Sequence, residues 1–478
     1  MSLRSIHAFD DELARLDATA TAEKIRTGEL TSAEVVTAAI ARAERLEPEL
    51  NAIVTADFER ARQLAVRWSA GAFAGVPTFI KDLIDVAGLP TRMGCEGLSE
   101  AGPKAKSSPI AQQFLDMGMI CLGKSQMPEF GLTSSAEFPT WKPTRNPWNL
   151  DHSTGGSSSG AAALVAAGIV PIAHTADGGG STRLPAACCG LVGLKPTLAR
   201  LLPSPAEKVL PLRVVVDGVV SRTVRDTALY YAEAEKQYCN PRLPRLGHVT
   251  EPLRRRLRVG AAIQLPVGGP IDEATRRTFE ETVALLEGLG HTVRPVTIPV
   301  TGELRDDFRR YFGFLGFLLT RGGRLLFDRS FDFNRLTPYN IGLSAVFRRE
   351  FLQLPAGVRR LRHARMLYAS MFEQIDVLLT PVSTTVAPPI GHLSVTEPFD
   401  VMFPRLADWI GITPVANVSG APALSLPLGH DPATNLPVGM MFGAARGNDR
   451  LLLELALELE QARPFGHLDA SLTHRSAA

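Results

Sequence analysis

Gly155-Gly156-Ser157-Ser158-Ser159-Gly160, an alanine-rich apolar run, and then Asp177-Gly178-Gly179-Gly180-Ser181-Thr182-Arg183 form the stretch on which the reading of this chain turns. Three consecutive glycines ahead of a serine let the backbone bend so that several N–H groups converge on one point. Such a cluster can hold an oxyanion while the serine attacks a carbonyl carbon. Gly/Ser tracts are also the composition of flexible connections. Both tracts here abut apolar segments that belong in a core, where a mobile linker is out of place. On these residues alone a catalytic or anion-binding loop and a plain connection both stay open.

Gly156-Ser157-Ser158-Ser159-Gly160 formally matches G-x-S-x-G, the nucleophile elbow of α/β-hydrolases. That motif needs a hydrophobic strand directly before it, and Asn149-Leu150-Asp151-His152-Ser153-Thr154 carries no such signal. Upstream, Gly75-Val76-Pro77-Thr78-Phe79-Ile80-Lys81-Asp82 ends an apolar run on a lysine. Burial would lower its pKa and supply a neutral amine as base. The plainer reading is a Lys81–Asp82 ion pair, although in an extended segment successive side chains face opposite ways.

Outward from this core the chain alternates short apolar runs with helical patterns. Phe79-Ile80, Met119-Ile120-Cys121-Leu122 and Leu191-Val192 read as buried strand pieces, and Ala161–Ala167 as a buried helix. Leu257–Ala261 reads as a strand, and Asp272 caps a helix carried by Glu280, Val283, Leu286 and Leu289 until Gly290. Val293–Ile298 follows as a further strand. Thr31 and Glu34 have capping-box spacing, and Val36, Ile40, Ala43 and Leu46 continue that helix to Pro48. The expected class is α/β, with a large mixed twisted β-sheet core covered by helices on both faces. Residues 240–256, with Arg254-Arg255-Arg256, read as a solvated surface connection.

Composition narrows the function classes. The 478 residues are 45% hydrophobic, enough for a large core, and carry a net charge of only +2. Broad phosphate neutralisation is therefore excluded, and no nucleic-acid partner is expected. Cys95, Cys121, Cys188, Cys189 and Cys239 form no C-x-x-C pair, so neither a disulfide framework nor a structural zinc site is expected. The charged N-terminus lacks a signal peptide's apolar run, and Ala161–Ala173 is too short to cross a bilayer. The expected location is the cytoplasm, with no membrane partner, no metal and no cofactor.

In combination these segments resemble the amidase signature family of serine hydrolases. The match lies in Gly75–Asp82, Asn146-Pro147-Trp148, Gly155–Gly160 and Asp177–Thr197, the last ending in Cys189-Gly190-Leu191-Val192-Gly193-Leu194-Lys195-Pro196-Thr197. Weaker matches follow at Asp376–Pro381, Asn417–Ala423 and Leu436-Pro437-Val438-Gly439. The resemblance implies the amidase-signature fold as a single amidase domain over residues 1–478. Within it, 1–70 would be an N-terminal helical segment, 75–200 the signature core, 240–375 a variable substrate-shaping region and 376–465 the C-terminal part of the core. It further implies Ser181 as nucleophile, Ser157 as a bridging serine after a cis peptide bond, and Lys81 as base. The backbone N–H groups of Gly178, Gly179, Gly180 and Ser181 would form the oxyanion hole. A serine hydroxyl needs such a base within hydrogen-bond reach before it attacks. Two departures from the family pattern are visible: Ala176 precedes Asp177, with the threonine at Thr175, and Ser159 stands where glycine is usual.

The implied activity is hydrolysis of linear carboxamides to acid plus ammonia or amine through a Ser181 acyl-enzyme. The alternatives are the glutamine-hydrolysing component of a glutamyl-tRNA amidotransferase and a non-catalytic binding protein on the same fold. The expected partner is a small-molecule amide, and a homodimer is a further expectation. Phe308, Phe312, Phe314, Phe317, Phe327, Phe331 and Phe333 are seven of the 22 phenylalanines. They read either as helix packing or as the lining of an apolar acyl pocket. Asp177 and Arg183 read as a structural ion pair, and His152 and His174 are assigned no role.

Overall fold

Lys81 and the serine loops are held by two sheets in the computed structural model, which describes residues 4–67, 70–202 and 210–468. The smaller sheet has three strands, β1 (Ile53–Ala56), β2 (Pro77–Lys81) and β3 (Ile120–Ser125), in the order β1-β3-β2. A hairpin joins β4 (Arg145–Asn146) and β5 (Asn149–Ser153). The large sheet comprises β6 (Ile172–Asp177), β7 (Val192–Lys195), β8 (Val216–Ser221), β9 (Arg258–Ala261), β10 (Thr292–Pro295), β11 (Val377–Pro381), β12 (Ala423–Asp431) and β13 (Leu436–Ala444). Its order is β10-β9-β11-β13-β12-β7-β8-β6, parallel where β9 meets β10 and β11 and antiparallel elsewhere. The mixed α/β architecture is the expected one.

Period-two alternation sends the sheet's side chains into two cores. Met440, Phe442, Leu424 and Leu426 pack with Leu452, Leu455 and Phe279 from helices on one side. Met441 and Ala423 pack with the helix Ser159–Ala166 and its neighbours on the other. The three-stranded sheet abuts β6 at its edge, where Thr78 Oγ1 donates to the Ile172 carbonyl at 2.9 Å.

Local chemistry explains the boundaries, including four places that differ from expectation. Thr31 and Glu34 form the reciprocal capping box, but that helix runs Ser32–Leu50, past Pro48. A proline in the last turn forfeits only one amide bond, and Asn51 in the left-handed region ends the helix. The N-terminal segment is not wholly helical, because Ile53–Ala56 pairs with β3. A strand, β5, does lie upstream of the serine loop, in the polar hairpin rather than in the main sheet. Asp272 caps the helix Glu273–Gly288 by accepting from the Thr275 amide at 2.8 Å. The strand expected at Val293–Ile298 is Thr292–Pro295. Within residues 254–256, Arg255 and Arg256 pair with Asp376 and Glu458.

Candidate active site

Lys81 ends β2 and is fully buried, with its amine aimed at the serine loop. Nζ lies 2.7 Å from Ser157 Oγ, 3.0 Å from Ser158 Oγ and 3.2 Å from the Ala176 carbonyl. A neutral amine has two N–H donors and one lone pair. The carbonyl can only accept, so those three contacts fit two donated bonds and one hydroxyl donating to the amine. Burial is the main force on this group and lowers its pKa to about 7, while Asp177 and Asp217 oppose the shift. Asp82 does not neutralise it. Asp82 instead pairs with Lys124 at 3.0 Å, both side chains fully buried, and accepts from the Arg92 amide at 3.0 Å.

Ser157 follows the loop out of β5, and the Gly156–Ser157 peptide is cis. The next residues enter the helix Ser159–Ala166, which places Ser158 at its N-terminus. The unusual Ser159 is accommodated because its hydroxyl donates to the Gly155 carbonyl at 2.7 Å. Asn146 and Trp148 anchor the hairpin below by donating to the carbonyls of Cys188 and Cys189. Gly131 lies close to the site: at φ +68°, a Cβ there would stand 3.1 Å from Ser157 Oγ.

Ser181 lies between β6 and the helix Arg183–Cys189, on the wall of a cleft of about 740 Å³. The Ser158 amide donates to the Ser181 carbonyl at 3.2 Å, which fixes the two loops together. Among the described residues no hydrogen bond joins the Ser157 and Ser181 side chains.

The glycine loop is held by a buried polar network. Arg183 makes a bidentate pair with Asp177, at 2.9 Å and 3.0 Å, with both side chains fully buried. Burial would raise the Asp177 pKa, but Arg183, together with Asn417 and Lys195, holds it well below the usual carboxylate range. Asn417 donates to the Asp177 carbonyl and carboxylate at 2.9 Å and to the Val214 carbonyl at 3.0 Å. Thr413 Oγ1 donates to the Gly179 carbonyl at 2.8 Å. The Asp177–Arg183 pair is thus the expected loop-orienting ion pair.

One expected oxyanion donor is otherwise engaged. The Gly180 amide donates to Asp177 Oδ1 at 2.7 Å, so it is spent on the loop's own carboxylate. Gly179 and Ser181 line the cleft. Their amides, and that of Gly178, have no acceptor among the described residues.

His174 accepts from the Lys81 amide at 3.3 Å and meets Asp217 at 3.0 Å. Burial lowers its pKa, which leaves a neutral, satisfied structural histidine.

The phenylalanine-rich segment divides between the two readings. Phe308 and Phe312, on the helix Glu303–Leu326, line the cleft, whereas Phe314 and Phe317 pack on Phe347. Phe327 and Phe331 pack on Phe130. The cleft's two cations are compensated, Arg305 by Asp408 and Arg309 by Glu350, each at 2.9 Å. Sequence reasoning missed Ser158, Thr413 and Asn417 as parts of the site. Asn417 lies inside one of the weaker family motifs, but nothing local ties it to Asp177.

Among the described residues no group of three or more His, Cys, Asp and Glu could hold a metal ion. No described helix is long and apolar enough to cross a membrane.

Residues 34–320 and 328–453 match the protein family described as Amidase. AmiC of Mycobacterium tuberculosis, an amidase by name, is 46% identical over 469 residues, 97% of this chain and 98% of that protein. The 6-aminohexanoate-cyclic-dimer hydrolase of Paenarthrobacter ureafaciens is 33% identical over 483 residues, 94% and 95% of the two chains. The solved structure of a 6-aminohexanoate cyclic dimer hydrolase superposes with a TM-score of 0.86 at 31% identity, over 95% of this chain and 98% of that one.

Proposed function

This chain belongs to the amidase signature family of hydrolases that act on amides, and from that premise we propose that it cleaves linear carboxamides through a Ser181 acyl-enzyme. The observation that carries the proposal is the buried Lys81 amine 2.7 Å from Ser157 Oγ, one loop away from Ser181. With its pKa lowered to about 7 the amine has a substantial neutral fraction at physiological pH and can take a proton. The substrate carbonyl sits over Ser181, with its oxygen toward the amides of Gly179 and Ser181.

As Ser181 Oγ bonds to the carbonyl carbon, its proton passes to Ser157 and the Ser157 proton passes to Lys81. This step requires a Ser181–Ser157 side-chain hydrogen bond, which the free protein does not form. Catalytic hydrogen bonds commonly tighten only in the Michaelis complex. The tetrahedral intermediate collapses by breaking the C–N bond, and the Lys81 proton returns through Ser157 to the departing nitrogen. Water then attacks the ester by the same relay and releases the carboxylic acid and Ser181. Two backbone donors on the oxyanion are a substantial aid, since loss of one such donor typically costs about 2.7–4 kcal/mol.

The apolar cleft and its compensated arginines support neutral aliphatic or aryl amides as substrates rather than anionic ones. The test is turnover of a panel that holds an aryl amide, an aliphatic amide, the 6-aminohexanoate cyclic dimer and glutamine. Ammonia or amine release from the neutral linear amides, absent in Ser181→Ala, is expected. Faster turnover of glutamine would favour the amidotransferase-type reading, and activity that survives Ser181→Ala would remove the acyl-enzyme.

A further inference from the structure

A groove of about 1670 Å³ lies outside the catalytic cleft and shares none of its lining residues. Five arginines line it, Arg213, Arg242, Arg362, Arg365 and Arg446, and among the described residues no aspartate or glutamate does. They converge from separate parts of the chain. Arg362 and Arg365 lie three residues apart on one face of the helix Leu354–Ser370. Arg213 precedes β8, Arg242 follows the helix Val224–Gln237, and Arg446 follows β13. Tertiary structure therefore assembles this cluster, unlike the run at residues 254–256.

The charges in the groove are not compensated from within. Arg362 donates to the Pro211 carbonyl at 2.7 Å and Arg446 to the Leu198 carbonyl at 3.3 Å, and neither acceptor carries a charge. The guanidinium groups of Arg213, Arg242 and Arg365 have no hydrogen-bond or ion-pair partner among the described residues. Several shielded arginines elsewhere meet carboxylates, as Arg200 does Glu235 and Asp449 and as Arg309 and Arg310 do Glu350, and the buried Arg222 is satisfied by four carbonyls instead. Arg365 is half-buried. Burial and then the nearby Arg446 charge both press against its protonated form. A guanidinium does not shed its proton to escape such repulsion, so a counter-anion is what relieves it.

We propose that this groove binds a small multivalent oxyanion, either a phosphate ester or a polycarboxylate, with Arg365 and Arg446 as its principal partners. Planar guanidinium forks match both anions in bidentate geometry. Leu198 and Leu212 on the wall suit a ligand with some apolar body. The proposal does not depend on the amide reading.

Calorimetric titration of the full-length protein with pyrophosphate, and separately with citrate, tests it. Binding of either anion is expected, unchanged in Ser181→Ala and weakened about tenfold or more in Arg365→Ala and in Arg446→Ala. Arg446 is exposed, so its substitution leaves the fold intact even if Arg365→Ala does not. Pyrophosphate alone binding assigns a phosphate ester, citrate alone a polycarboxylate, and both a general oxyanion site. No heat with either anion, or affinity within about twofold of wild type in both arginine variants, overturns the proposal.

Discussion

Asn417 Nδ2 donates to both the carbonyl and the carboxylate of Asp177 at 2.9 Å, which joins the C-terminal part of the chain to the loop that presents Ser181. Arg183 and the Gly180 amide meet the same carboxylate. The loop is therefore positioned by a closed buried network rather than by glycine flexibility.

Removing one member should be felt in both fold and rate. Asn417→Ala leaves the Asp177 and Val214 carbonyls short of a donor and is expected to cost about 1–3 kcal/mol of stability. It should also lower kcat more than it raises KM. Denaturant unfolding and steady-state kinetics check this; an unchanged midpoint and kcat would contradict the positioning role.

The pH profile follows from Lys81. Its base form is the neutral amine, present above a pKa of about 7, so kcat/KM should fall as pH drops through that value and level off above it. An unperturbed lysine near 10.4 would instead leave the rate rising throughout the neutral range. A limb near 10 in the profile would show the amine to be an ordinary ammonium.

Residue order alone leaves Lys81 best read as a structural partner of Asp82; the family resemblance of the contiguous motifs around Lys81, Ser157 and Ser181 is what groups the three. The partners that hold these segments are not legible in residue order. Lys124 reaches Asp82 across a strand pair, and Asn417 reaches Asp177 from 240 residues away. The resemblance assigns the Gly180 amide to the oxyanion, and a local motif cannot tell which way a glycine N–H turns. The strand Ile53–Ala56 is hidden for a related reason: four residues pairing with a distant strand leave too short a period to outweigh the helices around them.

Gly131 tests the space around Ser157, the proposed relay. At φ +68°, an alanine Cβ would stand 3.1 Å from Ser157 Oγ, so the hydroxyl must shift from its 2.7 Å contact with Lys81. Gly131→Ala is expected to lower kcat about tenfold or more through misplacement alone. Wild-type kcat in a folded variant would argue against Ser157 as the relay.

Phe308 and Phe312 pack at a tilt, with centroids 4.4 Å apart, on the cleft wall. Phe308→Ala should weaken kcat/KM for aryl or long aliphatic amides by about 1–3 kcal/mol and spare the smallest amides. Equal losses across acyl lengths would assign Phe308 to packing alone.

The rate at which a fluorophosphonate labels the protein, followed by mass spectrometry across pH, probes the relay without any choice of substrate. A single adduct on Ser181 is expected, with a labelling rate that rises through an ionisation near 7 and loses that dependence in Lys81→Ala. An adduct on another residue, or a rate equally pH-dependent without Lys81, would contradict the buried amine as the base.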